Sequence, residues 1–155
     1  MKKYTQAEFD AMPRDENGVK HCPSGDYTDV KAFGERCRFG ACCSFGACCS
    51  FGACCGFGEC CSFGEGCSFE NGRIQNGWYR ALDRIGRENR KAYFFGGDEG
   101  FFVRTGCWFS TLDEFEARVK DVHSGTRHEQ DYLGACLLMR GMLTRDVEER
   151  KGKQA

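Results

Sequence analysis

A six-residue repeat constrains this chain more than any other feature of its sequence. From Cys37 to Gly72 the chain reads CRFGAC, CSFGAC, CSFGAC, CGFGEC, CSFGEG and CSFENG. A weaker unit, KAFGER, precedes it from Lys31, and a looser unit, GDYTDV, begins at Gly25 with tyrosine in place of phenylalanine. Such a short and strict period is typical of stacked repeats, in which each unit buries its apolar face against its neighbours.

The order of residues within one repeat predicts a short strand followed by a corner. Cysteine at position one and phenylalanine at position three are two residues apart, so in an extended strand their side chains point to the same face. We expect glycine at position four to supply a permissive backbone for the corner. The variable residues at positions five and six then face outward. The sequence therefore predicts a β-solenoid whose interior holds columns of phenylalanine and cysteine.

Read from the phenylalanine, residues 39–44 have the sequence FGACCS. This resembles the hexapeptide repeat of left-handed β-helices, in which an aliphatic residue precedes glycine or a small residue, two variable positions and a small residue. The resemblance implies a left-handed, three-sided coil of three hexads, although phenylalanine replaces the aliphatic residue here. The units from Gly25 to Gly72 would form fewer than three such coils. A two-sided coil of two hexads is the alternative, and the residues alone leave both open.

Four segments outside the repeat carry a second resemblance. They are residues 17–19 (NGV), 22–27 (CPSGDY), 106–109 (GCWF) and 112–115 (LDEF). Together with the Cys-x-Phe-Gly repeat, they are similar to small uncharacterised proteins of bacteriophages and gut bacteria. The resemblance implies a phage or mobile-element origin and brings no particular activity with it.

Length, charge and cysteine content exclude several classes of protein. The chain has 155 residues, enough for one domain or one solenoid with a small cap. Its 22 basic and 23 acidic residues give a net charge of −1, which disfavours nucleic-acid binding. No stretch is apolar enough to cross a membrane. The start, MKKYTQAEFDAM, lacks the apolar run of an export signal. We therefore expect a cytoplasmic protein whose 13 cysteines are mostly reduced.

Four regions follow from these patterns. Residues 1–24 form an N-terminal capping helix and turn, in which the helix covers residues 5–12 and begins with a Thr5–Glu8 capping box. Residues 25–77 form the solenoid. Residues 78–145 form a C-terminal α+β cap of strands followed by two helices, and residues 146–155 form a frayed tail.

The C-terminal cap is predicted in more detail from turn and capping signals. A strand covers residues 78–85, a hairpin pairs residues 91–95 with 100–104, and residues 106–109 continue the second arm. Ser110 with Asp113, or Thr111 with Glu114, starts a helix from Leu112 to Val122. Thr126 with Glu129 starts another that ends near Leu143. The predicted apolar faces comprise Leu112, Phe115, Val119 and Val122 in the first helix, and Tyr132, Leu133, Cys136, Leu137, Met139 and Leu143 in the second.

Four vicinal cysteine pairs, at residues 42–43, 48–49, 54–55 and 60–61, are the main chemical feature of the repeat. The candidate metal ligands are the position-six cysteines, namely Cys42, Cys48, Cys54 and Cys60. Thiolates in columns would suit a soft metal, although the spacing matches no zinc ribbon or knuckle. In the alternative interpretation, position-one cysteines are small core residues and position-six cysteines are outward copies. A redox role for the outward thiols is a third hypothesis.

Histidines and one further cysteine are the other candidates for chemistry. Left-handed β-helix enzymes include acyltransferases with a coil-borne histidine and carbonic anhydrases with three zinc-binding histidines. Of His21, His123 and His128, only His21 lies near the repeat. Cys107 beside Trp108 has the character of a buried strand residue more than of a nucleophile. A local basic cluster, which we expect to be a solvated face, comprises Arg80, Arg84, Arg87, Arg90 and Lys91.

We therefore expect a non-enzymatic structural or protein-interaction scaffold, with no catalytic residue, no cofactor and no metal. Its partner, another protein or a second copy, would bind a solenoid face or an exposed strand edge. The alternative is an acyltransferase-like hexapeptide-repeat enzyme or a cysteine-based metal-binding protein on the same scaffold.

Overall fold

The structure is a computed structural model that describes residues 1–85, 90–106 and 108–154. The chain divides into two units, Met1–Gly77 and Trp78–Ala155. The first unit contains the repeats, and the second contains an antiparallel sheet with two helices.

The first unit consists of one short helix and eight short parallel strands. The helix and strands are α1 (Gln6–Asp10), β1 (Lys20–Cys22), β2 (Asp26–Tyr27), β3 (Ala32–Phe33), β4 (Cys37–Phe39), β5 (Ser44–Phe45), β6 (Ser50–Phe51), β7 (Gly56–Phe57) and β8 (Ser62–Phe63). The strands form three parallel sheets in the orders β1-β4-β7, β2-β5-β8 and β3-β6. This arrangement confirms a stacked, solenoid-like repeat.

The strand register determines how many hexads make one coil. Phe39 pairs with Phe57, and Phe33 pairs with Phe51, so paired positions are eighteen residues apart. Three hexads therefore complete one coil, with one hexad on each side. The two-sided alternative required pairs twelve residues apart and is wrong. The repeats therefore form only a few coils. The strands of the central coil pair with strands of the coil before it and of the coil after it.

Aromatic rings fill the interior, as predicted. Phe51 is only 2% exposed. Its ring stacks on Phe33 at a centroid distance of 4.7 Å and on Phe69 at 5.2 Å. It also contacts the rings of the preceding and following repeats, Phe45 and Phe57, edge to face, with a centroid distance of 5.1 Å in each case. Both geometries suit the aromatic quadrupole, and each buried ring contributes about 1.5–3 kcal/mol from burial alone.

The corners differ from the prediction in which residue carries the unusual backbone. The position-six residues, not the glycines at position four, adopt positive φ, for example 59° at Cys42 and 58° at Cys48. Glycine at position four is required for a different reason. A Cβ atom on Gly58 would lie 2.6 Å from the backbone nitrogen of Ala41 in the preceding coil, closer than real Cβ contacts allow. The repeat therefore uses glycine for close approach between coils.

Helix α1 closes the first coil with an aromatic side chain. It starts with the predicted capping box, in which Thr5 Oγ1 accepts from the Glu8 backbone nitrogen. It covers Gln6–Asp10, fewer residues than predicted. The Phe9 ring stacks on the Phe39 ring at a centroid distance of 6.4 Å. In the first coil the strand partner of Phe39 is Cys22, which has no ring. Phe9 therefore supplies the ring that the incomplete first coil lacks.

The strand edge of the first coil is covered by N-terminal residues. The side-chain amide of Gln6 accepts from the Lys31 backbone nitrogen at 2.9 Å and donates to the Ala32 carbonyl at 2.9 Å, as a neighbouring strand would. Tyr4 adds a backbone hydrogen bond from its nitrogen to the Asp26 carbonyl, also at 2.9 Å. Covered edges of this kind prevent further strand pairing.

The second unit has an antiparallel four-stranded sheet followed by two helices. Its elements are β9 (Trp78–Ile85), β10 (Arg90–Gly97), β11 (Gly100–Thr105), β12 (Trp108–Thr111), α2 (Leu112–Val122) and α3 (Arg127–Gln154). The sheet order is β12-β11-β10-β9. Thr111, one of the two predicted capping residues, accepts from the Glu114 backbone nitrogen at the start of α2.

The buried core of the second unit agrees with the predicted apolar faces except at two positions. Leu137 is 76% exposed and Val122 is 55% exposed, so their assignment to buried stripes is wrong. Leu137 is two residues from the buried Met139, which is about 200° around a helix of 3.6 residues per turn. The core comprises Ala92, Phe94, Val103, Leu112, Phe115, Val119, Ala135, Cys136, Met139 and Leu143.

Helix α3 is longer than the sequence predicted. It continues through Gln154, whereas the prediction ended it near Leu143 and left residues 146–155 as a frayed tail. Side chains beyond Leu143 contact the sheet. Arg80 donates two hydrogen bonds of 2.8 Å to the Asp146 carboxylate, and the Arg150 guanidinium lies 4.2 Å from the centroid of the Trp78 ring. Such bidentate and cation–π contacts hold the last turns in place.

We predict that Phe51→Ser lowers the free energy of unfolding by about 3–5 kcal/mol, because it leaves a cavity and buries a hydroxyl among aromatic rings. Cys48→Ser, at an exposed corner, should change it by about 0.5 kcal/mol or less. Urea unfolding under reducing conditions measures both values. Equal losses from the two substitutions would contradict this inside–outside assignment.

Candidate functional site

The position-one cysteines lie inside the solenoid. Cys37, Cys43, Cys49, Cys55 and Cys67 are buried, and Cys61 is half-buried. Their thiols donate to the carbonyls of the position-four glycines, in two ways. The Cys43 thiol reaches the Gly40 carbonyl of its own coil at 3.2 Å, and the Cys61 thiol reaches the same carbonyl from the next coil at 3.5 Å. These cysteines are small core residues whose thiols also donate hydrogen bonds to carbonyl groups at the corners.

Two interior thiols, Cys43 and Cys49, are kept protonated, whereas the pKa of Cys37 is lowered by its hydrogen bonds with Cys22 and Cys55. Burial raises the pKa of Cys43 to about 11. The pKa of Cys49 is also raised, because Cys67 lies beside it and because burial disfavours the thiolate. The thiolate is the form that attacks electrophiles and binds metals. Cys43 and Cys49 are therefore poor nucleophiles and poor metal ligands near neutral pH.

The position-six cysteines lie on the outer corners. Cys42, Cys48 and Cys60 are exposed and Cys54 is half-buried. Because one coil takes eighteen residues, Cys42, Cys48 and Cys54 occupy three different corners, and only Cys42 and Cys60 share one. The single column of thiolates that a soft-metal site would need is therefore divided among the corners. In the described part of the chain, no group of three or more His, Cys, Asp or Glu residues is placed to hold a metal ion.

The histidines belong to two separate local settings. His21 lies on the outer side of β1, where its Nε2 is 2.8 Å from an Asp15 carboxylate oxygen. This contact is the main reason that the pKa of Asp15 is lowered. His123 follows the last residue of α2 and His128 lies in the first turn of α3, with ring centroids 5.9 Å apart. Each histidine thus has a local structural partner.

Cys107 and the basic cluster are the remaining candidates from the sequence. Cys107 and Arg87 lie outside the described residues. Within the basic cluster, Arg80 forms the ion pair with Asp146 described above, and this contact raises the pKa of the guanidinium. Arg80 therefore acts within the fold of the second unit.

The middle of the solenoid is a segment that has no charged residues of its own, although the Lys31 ammonium reaches it and donates to the Ala47 carbonyl at 3.0 Å. Residues 39–58 contain no Asp, Glu, Lys, Arg or His. We call the outward-facing residues of this segment the uncharged belt. At its corners it exposes Ala41, Cys42, Ala47 and Cys48, and Ser50 is exposed on one side. Depletion of charged residues is typical of the core of a protein interface.

Acidic residues border the belt on the following coil. Glu59 and Glu65 are eighteen residues after Ala41 and Ala47, so each lies at the same corner one coil further on. Both glutamates are exposed. Their backbone carbonyls accept hydrogen bonds of 2.8 Å from Cys42 and Cys48, which fixes the acidic corners relative to the belt.

From β4 to β6 the belt is held on both sides by hydrogen-bonded neighbours, whereas β7 lies at the end of its sheet. Strand β4 pairs with β1 and β7, and β5 pairs with β2 and β8. Strand β6 pairs with β3 and also bridges Ser50 to Ser68. A surface whose backbone is paired on both edges and whose interior is packed with rings loses little entropy on binding.

Comparisons with known proteins give no relative for this chain: no protein-family model, no curated protein and no solved structure matches it. Among the described residues, no helix combines the length and the apolar character needed to span a membrane.

The belt was not identified as a site from the sequence, although its signal is present there. A segment of the length of 39–58 without a single charge stands out in a chain in which 29% of residues are charged. The acidic border was also visible as the change from alanine to glutamate at position five, first at Glu59. What was missing was the eighteen-residue register that places these residues at shared corners.

We predict that the free energy of unfolding falls as the pH rises from about 9 to about 11. Burial raises the pKa of the Cys43 thiol from its ordinary value of 9.0 to about 11, so in this interval the unfolded chain binds fewer protons than the folded chain. Below pH 9 the contribution is fully present. Cys43→Ala should reduce this pH dependence, measured by urea unfolding with a reductant present.

The matched control for this prediction is Cys42→Ser, which alters an exposed thiol in the same vicinal pair. A loss of slope that Cys42→Ser reproduces would not be specific to the buried thiol. An identical slope in the wild-type protein and Cys43→Ala would contradict the prediction.

Proposed function

We propose that this protein is a non-enzymatic interaction scaffold that binds a protein partner through the uncharged belt. The observation that carries the proposal is the absence of charge from residues 39–58, combined with their exposure at the corners. Removing water from alanine, serine and thiol groups costs much less free energy than removing it from charged groups. The belt is thus suited to form the dry centre of an interface.

The size of the belt constrains the partner. A standard interface takes about 20–30 residues from each side, and the outward-facing residues of this one segment are fewer. A partner must therefore also contact the neighbouring coil, where Glu59 and Glu65 border the belt. We infer a protein whose contact surface is uncharged at the centre and carries lysine or arginine at its rim.

The covered strand edge favours a face over an edge as the binding surface. At the first coil, the Gln6 amide occupies backbone groups of Lys31 and Ala32 that an incoming strand would use. An assembly by strand addition at that end would have to displace these contacts and the Tyr4–Asp26 hydrogen bond. The flat sides of the belt require no such displacement.

We further propose that the coils wind with the left hand of hexapeptide-repeat proteins and that the chain comes from a phage or mobile element. The first point draws support from the coil of three hexads, which is what that resemblance implies. The second depends on the resemblance of the segments outside the repeat. A cytoplasmic location accords with the many reduced cysteines of the chain.

A thiol-directed photocrosslinker tests the proposed interface. The probe protein keeps Cys48 as the labelling site, with the other position-six cysteines, Cys42, Cys54 and Cys60, replaced by serine, and with Cys107 replaced as well. It is labelled with a benzophenone maleimide and illuminated in extracts of cells that encode the chain. We expect a saturable cross-link to one protein, competed by unlabelled protein and weakened by salt.

The controls locate the interaction on the belt. The same label at Asp121→Cys on α2, with all outward thiols replaced, should capture nothing specific. Ala47→Arg, which places a cation on the belt, should abolish the Cys48 cross-link, and Glu65→Lys should weaken it. Capture that is equal from both labelled sites, or that survives Ala47→Arg, would overturn the proposal.

The enzyme and metal alternatives are tested by ligand-dependent stability. We predict that neither zinc nor acetyl-CoA raises the melting temperature of protein purified under reducing, anaerobic conditions. A ligand present at 100 times its Kd would stabilise the folded state by about 2.7 kcal/mol, which is easily detected. Native mass spectrometry provides an independent readout, and a stoichiometric metal or a clear thermal shift would contradict the scaffold proposal.

A further inference from the structure

The outer face of α3 exposes apolar side chains for which the second unit offers no covering. Leu137 and Leu138 are adjacent and both exposed, near the middle of a helix of 28 residues. Gly134 and Gly141 flank them, and a Cβ atom built on either glycine meets nothing within 4 Å. We call these four residues the α3 stripe.

Packing within the chain does not explain why the α3 stripe contains two glycines. Glycine inside a helix lowers its stability relative to alanine. At Gly134 and Gly141 there is open space for a side chain, so the fold does not require glycine at either position. Glycines on an exposed helix face let the backbone of another helix come close.

Charged residues continue the same face in both directions. Positions 127, 134, 141 and 148 recur every seven residues, and so do 131, 138 and 145, which places them along one side of the helix. The opposite side holds the buried core residues Met139 and Leu143. The charged positions are Arg127 and Asp131 before the stripe, and Arg145 and Glu148 after it, all exposed.

We propose that α3 pairs with α3 of a second copy of this chain, antiparallel, across a two-fold axis at the Leu137–Leu138 bond. In such an interface, residues at equal distances on either side of the axis face each other. Gly134 faces Gly141 of the second copy, and the leucines meet at the centre. The pairing goes beyond the belt interface and does not depend on it.

The order of charges supports the antiparallel arrangement. Arg127 and Glu148 are equally far from the axis, so each faces its opposite charge in the second copy. The distances of Asp131 and Arg145 from the axis differ by only one residue, so these opposite charges also lie close to each other across the interface. A parallel pair would instead place Arg127 against Arg127 and Glu148 against Glu148, which like-charge repulsion disfavours.

The test is the oligomeric state of the full chain, measured by sedimentation velocity over a range of concentrations with a reductant present. We expect a reversible monomer–dimer equilibrium. Leu138→Glu should weaken it by more than about a hundredfold, because two buried leucines become two facing carboxylates. Val122→Glu, an equally exposed apolar residue on α2, is the matched control and should leave the dimer intact.

A charge exchange tests the orientation of the helices. Arg127→Glu or Glu148→Arg alone should weaken the dimer by about tenfold, because both symmetry-related pairs become repulsive. The double variant Arg127→Glu/Glu148→Arg should restore wild-type affinity. Failure of the double variant to restore it would overturn the antiparallel pairing.

Substitution of Gly134 separates helix pairing from monomer stability, because the two should change in opposite directions. Gly134→Gln should raise the thermal stability of the monomer, since glutamine favours the helix, and should weaken the dimer by blocking close approach. Ala47→Arg on the belt should leave the dimer unchanged. A protein that is monomeric at every concentration, or a dimer that Leu138→Glu leaves intact, would overturn the proposal.

Discussion

The close stacking of successive coils is the constraint on which the first unit depends. Ring pairs such as Phe33 and Phe51, with centroids 4.7 Å apart, require that the backbones also approach closely. That approach excludes a Cβ atom at position four, where Gly64 would otherwise bring one to 2.4 Å from the Ala47 backbone nitrogen. The same approach lets the glycine carbonyls accept from the interior thiols. Phenylalanine, glycine and cysteine are therefore a single set, because replacing one of them disturbs the spacing that the other two need.

The corner conformation separates the two cysteines of each vicinal pair. Positive φ at Cys42, Cys48, Cys54 and Cys60 turns the chain between sides, so that neighbouring thiols in sequence point in opposite directions. Residues other than glycine adopt this conformation at some cost in free energy. At Cys42 and Cys48, hydrogen bonds from the backbone nitrogen to the Glu59 and Glu65 carbonyls of the next coil help to offset it. One thiol becomes part of the core and the other remains available on the surface.

Much of this architecture was predictable, because a strict repeat fixes which side chains share a face. The solenoid, its aromatic core, the hairpin of the second unit and the start of α2 at Leu112 all follow from local patterns. The errors arose where long-range geometry decides. The exposure of Leu137 depends on the exact phase of α3, and the length of α3 depends on the Arg80–Asp146 pair. The choice between two and three sides was left open by the residues alone, because only the strand register decides it. The uncharged belt required both composition and register.

The coil of eighteen residues also sets how such a chain can change its length. Duplication of one hexad moves every later residue on by one side, so Glu59 and Glu65 would leave the corners that they share with Ala41 and Ala47. Duplication of three hexads restores every side and adds one whole coil. Growth in threes thus preserves surface patterns, whereas growth by single hexads reassigns them. A lineage that gains or loses single units would display a new set of outer faces without altering its interior.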